Sequence, residues 1–145
     1  MDLIHLSLEN FETKVKEKKV LKQPVSAKNL DFGVINPAYI GKKNRYVYAA
    51  VTAPIPKIAG VVKLDLSLLE LNHGSNCMVA SRLYGRGCYG GEPFFVSREP
   101  NNPEAKEEDG YLVTYVHNEN AGESRFLVMN AKSPDLEIVV NVKLP

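Results

Sequence analysis

Apolar residues alternate with polar ones along most of the chain, with a period of two. The apolar positions of these runs are Ile4, Leu6, Leu8, Tyr46, Tyr48, Ala50, Val62, Leu64, Leu66, Cys77, Val79, Leu83, Tyr111, Val113, Tyr115, Phe126, Val128, Ile138, Val140, Val142 and Leu144. Such alternation is typical of β-strands that place one apolar face on a core and the other towards solvent or a second layer.

Turn residues separate these runs at short intervals. They include Asn36-Pro37, Pro54-Ile55-Pro56, Pro100-Asn-Asn-Pro103 and Ser133-Pro134, all residue types that favour turns. No window of a dozen residues has the apolar spacing of an amphipathic helix. The pattern therefore predicts an all-β chain of roughly eight or nine antiparallel strands arranged in meanders. No linker or internal repeat divides residues 1–145.

The composition is that of a globular protein and excludes several classes. The chain has 145 residues, is 44% hydrophobic and 24% charged, and carries a net charge of +1, which gives no general attraction to nucleic acid. No apolar run approaches the roughly 18 residues of a membrane-spanning helix, and no signal or transit peptide is evident. Because the sequence begins and ends within strand-like runs, we expect a piece of a larger β-structure.

A glycine-rich segment from Tyr84 to Val96 contains an unusual carboxylate, Glu92, at the junction with an apolar strand. A carboxylate placed where an apolar side chain is expected must be solvated, paired or holding another group in position. The spacing Gly85-x-Gly87-x-x-Gly90 matches a dinucleotide-binding pattern, but that pattern needs a following helix to bind the phosphates. Here Pro93 and a predicted strand follow, so we reject phosphate binding.

Other side chains with potential chemistry favour structural interpretations. His5, His73 and His117 lack metal-ligand spacing, and Cys77 and Cys88 are too few and too widely spaced for a disulfide framework or a zinc site, which predicts free thiols. The sequence shows no nucleophile motif.

Two charged segments are also interpreted as structural. The lysine-rich run Lys14–Lys22 is typical of a protected sheet edge. The acidic, proline-rich segment Glu104–Asp109 is typical of a solvated loop.

Three ordered motifs resemble the C-terminal region of the plant carotenoid cleavage dioxygenases, most closely their type-4 plastid branch. They are Asn29-Leu-Asp-Phe-Gly-Val-Ile-Asn-Pro37 with Asn44-Arg-Tyr-Val-Tyr48; Gly85-x-Gly-Cys-Tyr-Gly-Gly-Glu-Pro-Phe-Phe-Val96; and Glu107-Glu-Asp-Gly-Tyr-Leu-Val113 with Phe126-Leu-Val-Met-Asn-Ala-Lys132. The resemblance extends over essentially the whole chain and implies a seven-bladed β-propeller. At roughly 40 to 50 residues a blade, this chain supplies about three blades' worth. We therefore expect residues 1–145 to be a C-terminal fragment of the propeller domain.

The resemblance also implies a ferrous iron on the propeller axis, held by four histidines whose far ring nitrogens donate to glutamates. Such a carboxylate sets the tautomer and orientation of its histidine. Glu92 matches one of these glutamates, which implies that it is buried against a histidine. Asp31 is a weaker match, because aspartate is one methylene shorter than the usual glutamate. None of the iron ligands falls within this chain, so we expect it not to hold iron by itself and to be inactive alone.

The function that the resemblance implies is oxidative cleavage of a conjugated C=C bond of a carotenoid by Fe(II) and O₂, giving apocarotenoid carbonyl products, in a plastid. Membrane association is left open. The alternative is a truncated, non-catalytic β-protein that acts as an interaction or apolar-ligand-binding module.

Overall fold

The computed structural model describes residues 30–71 and 77–145. Their strands are β1 (Leu30–Val34), β2 (Tyr46–Thr52), β3 (Ile58–Asp65), β4 (Met78–Leu83), β5 (Cys88–Gly90), β6 (Phe94–Ser97), β7 (Gly110–Asn118), β8 (Glu123–Asn130) and β9 (Ile138–Lys143), with a 3-10 turn at Pro37–Tyr39 and a single-turn helix α1 at Ser67–Leu71. The prediction of an all-β chain is confirmed. The strand predicted around Leu6 and the lysine-rich run lie outside the described residues.

The strands form two antiparallel meanders, each of four strands paired in chain order. The first meander is β1-β2-β3-β4 and the second is β6-β7-β8-β9. The short strand β5 bridges them, because Gly90 pairs with Ile58 of β3 while Tyr89 pairs with His117 of β7. The two meanders are therefore joined into one continuous sheet.

The two central strands of the first meander, β2 and β3, are buried on both faces. Along β2, Val47, Ala49 and Val51 pack into a first apolar layer with Val62, Leu64 and Cys77. The alternate side chain Tyr48 points to the opposite face. There it joins a shared apolar layer, which contains Tyr48, Val61, Ala80, Phe95, Leu112, Met129, Ala131 and Leu136. Because this layer takes residues from both meanders, it is the core between them.

The second meander packs on this layer with the face opposite to the predicted one. Its buried strand residues include Phe95, Leu112 and Met129, whereas Tyr115 is 61% exposed. The expectation that the Tyr111–Tyr115 alternation marks the core was wrong, as it was for the runs in β8 and β9 apart from Ile138, which packs against the shared layer. Both faces of this meander are apolar, so alternation did not show which one the neighbouring sheet covers.

The apolar positions opposite the shared layer form a face that the other described residues leave uncovered, here called the uncovered face. Cross-strand pairing places Phe94, Val113, Val128 and Val140 in one row across the four strands. Tyr115, Phe126 and Val142 form the next row. Phe94 is 64% exposed. Such a continuous apolar surface is unusual for an isolated soluble chain and is typical of a contact surface.

A register shift in the first meander changes the faces of β4. The pairing slips between Lys63 and Leu64, where Lys63 pairs with Ala80 and Leu64 with Met78. Cys77 is buried as predicted, but Val79 and Leu83 are exposed. Since the slip reverses the alternation, the prediction that all three share a buried face was wrong.

The segment Glu104–Asp109 is not the simple solvated loop that its composition predicted. Glu107 accepts hydrogen bonds from the backbone N–H groups of Arg45 and Tyr46, both at 2.9 Å. Glu108 pairs with Lys63, which is only 4% exposed and whose ammonium lies 4.3 Å from the centre of the Tyr46 ring. A lysine this deeply buried needs such a partner to offset its lost hydration.

Both thiols are free, as the sequence predicted. Cys77 is buried, and burial raises its pKa to about 12, so its reactive thiolate is scarce at neutral pH. Cys88 is half-buried in the glycine-rich segment. Within the described residues, no helix has the length and hydropathy needed to cross a membrane.

The uncovered face predicts self-association of the isolated chain. Replacing Tyr115 by lysine places a charge at the centre of this face and should lower self-association and the binding of an apolar dye. Sedimentation velocity over a concentration series measures the first effect directly. The matched control is Ile55→Lys, because Ile55 is 74% exposed but lies in the β2–β3 loop, away from the face. Equal effects of the two lysines would contradict the prediction.

A second prediction concerns the buried carboxylate of Asp65 at the end of β3. It accepts hydrogen bonds from Arg45 Nη2 at 2.9 Å and Ser67 Oγ at 2.6 Å. Burial opposes its ionised form, but the hydrogen bonds from Arg45 and Ser67 outweigh burial and lower its pKa below the usual 3.8. The carboxylate therefore contributes stability above about pH 4, and this contribution is lost as the pH falls through the lowered folded-state pKa.

Asp65→Asn should accordingly lower the free energy of unfolding by on the order of 1–3 kcal/mol at pH 7. The difference from the unsubstituted chain should shrink at pH 3. Urea titrations at the two pH values measure it, and a difference independent of pH would show that the charge of Asp65 is not the cause.

Candidate functional site

The two carboxylates singled out from the sequence occupy equivalent places in the two meanders. Asp31 is the second residue of β1, and Glu92 lies two residues before β6. β1 and β6 are the first strands of their meanders, and each pairs with a single neighbour among the strands that the structure describes. Both carboxylates therefore lie where the first, edge strand of a meander begins.

The glycine-rich segment holds the backbone around Glu92 in a defined path. Gly85 and Gly87 have φ angles of 106° and 74°, a region that side chains disfavour. The N–H of Gly91 donates to Tyr115 O at 3.0 Å, and its carbonyl accepts from Thr114 Oγ1 at 3.1 Å. The predicted strand after Pro93 is confirmed as β6, so no helix start is available to bind a phosphate.

The side chain of Glu92 is exposed, and it has no hydrogen bond or ion pair with the described residues. The histidine that Glu92 is expected to hold is not among the residues of this chain, so the role of Glu92 stays a prediction. No described histidine approaches it, since His117 lies exposed on β7 and contacts Ser124 Oγ through Nδ1 at 2.9 Å. His5 and His73 lie outside the described residues. Here Glu92 is a solvated carboxylate on a fixed backbone.

Asp31 is also exposed, and it lies at an irregularity of the sheet. Asp31 pairs with Ala50 and Val34 with Tyr48, so the two residues between them, Phe32 and Gly33, oppose one residue of β2. The N–H of Phe32 donates to Asp31 Oδ1 at 2.8 Å.

Phe32 itself has a φ angle of 50°. A positive φ is strained for a bulky aromatic residue, and bulges with such strain often re-aim side chains at functional sites. The sequence signalled the carboxylate but not this bulge.

The described residues do not assemble a metal site. Among residues 30–71 and 77–145, no group of three or more His, Cys, Asp and Glu side chains is placed to hold a metal ion. Asp31 and Glu92 can accept hydrogen bonds, but they would need donors from residues outside this set.

A cavity of about 380 Å³ lies at the other end of the meanders. It is lined by residues that follow β1 and β6, among them Tyr39, Lys42, Glu99 and Asn102. Because β1 and β6 each run from their carboxylate towards this cavity, it is separate from Asp31 and Glu92.

Comparisons with known proteins agree with the motifs. The family described as retinal pigment epithelial membrane protein matches residues 3–145. The chain is 59% identical over 145 residues to the probable carotenoid cleavage dioxygenase 4 of Arabidopsis thaliana, a chloroplastic protein, covering 100% of this chain and 24% of that protein. It is 49% identical over 144 residues to the chromoplastic zeaxanthin 7,8(7′,8′)-cleavage dioxygenase of Crocus sativus, covering 99% of this chain and 38% of that protein.

Solved structures show the same fold. The cobalt-substituted apocarotenoid oxygenase of Synechocystis matches with a TM-score of 0.62 and 24% identity, over 79% of this chain and 22% of that one. Such carotenoid oxygenases are β-propellers, and this chain corresponds to part of one. The chain thus spans between about a fifth and two fifths of the length of these proteins.

The strain at Phe32 is testable by substitution. Glycine adopts positive φ readily, so Phe32→Gly should leave the free energy of unfolding within about 0.5 kcal/mol of the original or raise it. The control is Val96→Gly in β6, another edge strand, where the side chain is 47% exposed and φ is not positive. That change should cost about 1 kcal/mol or more. Urea titration measures both changes. Equal losses in the free energy of unfolding at the two positions would show that Phe32 is not strained.

Proposed function

The chain belongs to the retinal pigment epithelial membrane protein family, together with the plant carotenoid cleavage dioxygenases, and we propose that it forms part of an enzyme that cleaves carotenoids. That enzyme would insert both atoms of O₂ across a conjugated C=C bond and release apocarotenoid carbonyl products in a plastid. The chloroplastic and chromoplastic relatives support this proposal. Residues 1–145 would be one piece of its propeller domain.

Within that enzyme, Glu92 would accept a hydrogen bond from the ring N–H of a metal-binding histidine. The observation that carries this role is its position: a carboxylate that is exposed and unpaired among the described residues, on a backbone fixed by Gly91 and Pro93 just before β6. A carboxylate in contact with the far nitrogen of an imidazole fixes its tautomer and aims the other nitrogen at the metal.

Asp31 would play the same part at the start of β1. Its carboxylate already accepts one hydrogen bond, from the N–H of Phe32, which leaves its second oxygen for another donor. The bulge after Asp31 changes the direction of the strand at this point. This change supports a role for Asp31, although aspartate is one methylene shorter than the usual glutamate.

Ferrous iron would supply the oxygen chemistry, but the described residues of this chain do not fit it as ligands. The contribution of this chain is therefore to orient histidines supplied by the rest of the protein. We keep the prediction that the purified 145-residue chain binds Fe(II) at well below one equivalent and does not cleave β-carotene. Stoichiometric iron together with cleavage would overturn it.

The role of Glu92 is tested by exchange into a relative. In this experiment, the chain replaces the matching segment of the Crocus sativus enzyme. The rate of zeaxanthin cleavage and the amount of bound iron are then measured. Glu92→Gln should lower metal affinity or activity by about 10- to 100-fold, the usual cost of losing such a carboxylate. Asp31→Asn should cost less, because it is the weaker match.

The control in the same chimera is Glu99→Gln. Glu99 is an exposed carboxylate that follows β6 at the opposite end of the meanders, where it accepts from Asn102. It should leave iron content and cleavage unchanged. If Glu92→Gln behaves like this control, Glu92 does not orient a ligand.

A further inference from the structure

One side chain of the second meander accepts hydrogen bonds from the backbone of the first meander at the start of β2. Glu107 lies in the connection between β6 and β7, and its two carboxylate oxygens accept from the N–H of Arg45 at 2.9 and 3.0 Å. Oε1 also accepts from the N–H of Tyr46 at 2.9 Å. A carboxylate bound to two successive backbone N–H groups is a charge-assisted contact with defined direction.

The same connection holds the turn that follows β1. The side-chain amide of Asn36 donates to the carbonyl of Glu107 at 2.9 Å, and the hydroxyl of Tyr39 donates to Ala105 O at 3.0 Å. Asn36 is buried, and its oxygen accepts from the N–H of Ala38. Residues 105–107 therefore bind both ends of the β1–β2 connection.

These contacts matter because the sheet connects β1 to β6 only indirectly, through β2, β3, β5 and β7. β1 has five residues and is interrupted by the bulge at Phe32, while β6 has four. Among the described strands, β1 pairs only with β2, and β6 only with β7. The position of β1 relative to β6 therefore also depends on side-chain contacts and on the loops that follow these two strands.

We propose that Glu107 is a positioning residue that sets β1 against β6, and so sets the separation of Asp31 and Glu92. This inference rests on the proposed function for the meaning of that separation, although the separation itself can be measured without iron or substrate. Glu107 acts from the far end of the strands, through the backbone of β1 and β2. It touches neither carboxylate nor any reacting group.

The neighbouring Glu108 has a different part. Its ion pair with buried Lys63 reaches β3 in the middle of the first meander and adds cohesion between the meanders. Among the described residues, its side chain makes no hydrogen bond to the β1–β2 connection and interacts with Arg45 only through its charge. We therefore assign the placement of β1 to Glu107 and not to the acidic segment as a whole.

The test uses the 145-residue chain with spin labels at Asp31→Cys and Glu92→Cys, both exposed positions, on a Cys88→Ser background. Cys77 stays, because its burial keeps it from reacting; a chain without the two new cysteines checks this. Pulsed dipolar spectroscopy measures the distribution of distances between the labels. Glu107→Ala should broaden that distribution about twofold or shift its centre, because a freed connection samples more positions.

Two further variants separate positioning from loss of stability. Glu107→Gln retains Oε1, the oxygen that reaches both N–H groups, and should keep most of the original distribution. Glu99→Ala, in the same connection but bonded only to Asn102, should leave it unchanged. Circular dichroism confirms that each variant is folded.

A folded Glu107→Ala chain with the original distribution would overturn the proposal, as would equal broadening by Glu99→Ala. If Glu107→Ala does not fold, Glu107→Leu decides, because its branched side chain is of similar size but has no acceptor for the two N–H groups. Faster hydrogen exchange at the amides of Arg45 and Tyr46, with a broadened distribution, supports the proposal, and an unchanged distribution refutes it. Failure of the iron-orienting role would appear only in the chimera experiment, so the two proposals can fail separately.

Discussion

The shared apolar layer between the two meanders is the contact on which the other features of this chain depend. Tyr48 shows how tightly it is built, since its ring meets Phe95 of the second meander with 5.5 Å between centroids. Its hydroxyl donates to Ala131 O at 3.0 Å, so this buried polar atom is satisfied. Burial raises the pKa of this phenol, which keeps the hydroxyl a neutral donor.

Polar contacts at the rim of this layer determine how the meanders sit on one another. Lys63 pairs with Glu108, Arg82 donates to Asp135 Oδ2 and the carbonyl of Leu136, and Glu107 holds the start of β2. Apolar packing supplies most of the free energy but has little directional preference, whereas hydrogen bonds and ion pairs select one arrangement. The two first strands, and with them Asp31 and Glu92, are placed by this combination.

The uncovered face of the second meander follows from the same principle. A sheet with two apolar faces needs a neighbour on each, and the described residues provide one for this meander. Propeller blades meet that need by packing face to face around an axis. The chain spans a small share of its relatives' length, which agrees with a sheet whose second neighbour comes from elsewhere.

The periodicity and turn residues predicted the strands well because both are local properties. β2, β3, β7, β8 and β9 lie where alternation placed them, and the strand predicted after Pro93 is enough to exclude a phosphate site in the glycine-rich segment. β5 was missed because it is only three residues long. It pairs with the first residue of β3 and with the last three residues of β7. The acidic segment was misread because composition does not reveal that a partner such as Lys63 is buried opposite it.

Sequence alone thus determined the all-β class, the free thiols and, through its motifs, the family and the two carboxylates worth testing. Tertiary structure decided which face of the second meander is core, where the register of β4 slips, and that Glu92 is exposed among the described residues. The physical reason is that alternation and motif spacing report what each segment can do by itself. Which face is covered, and which charge meets a partner, depends on residues far apart in the chain and on the neighbours that each sheet has.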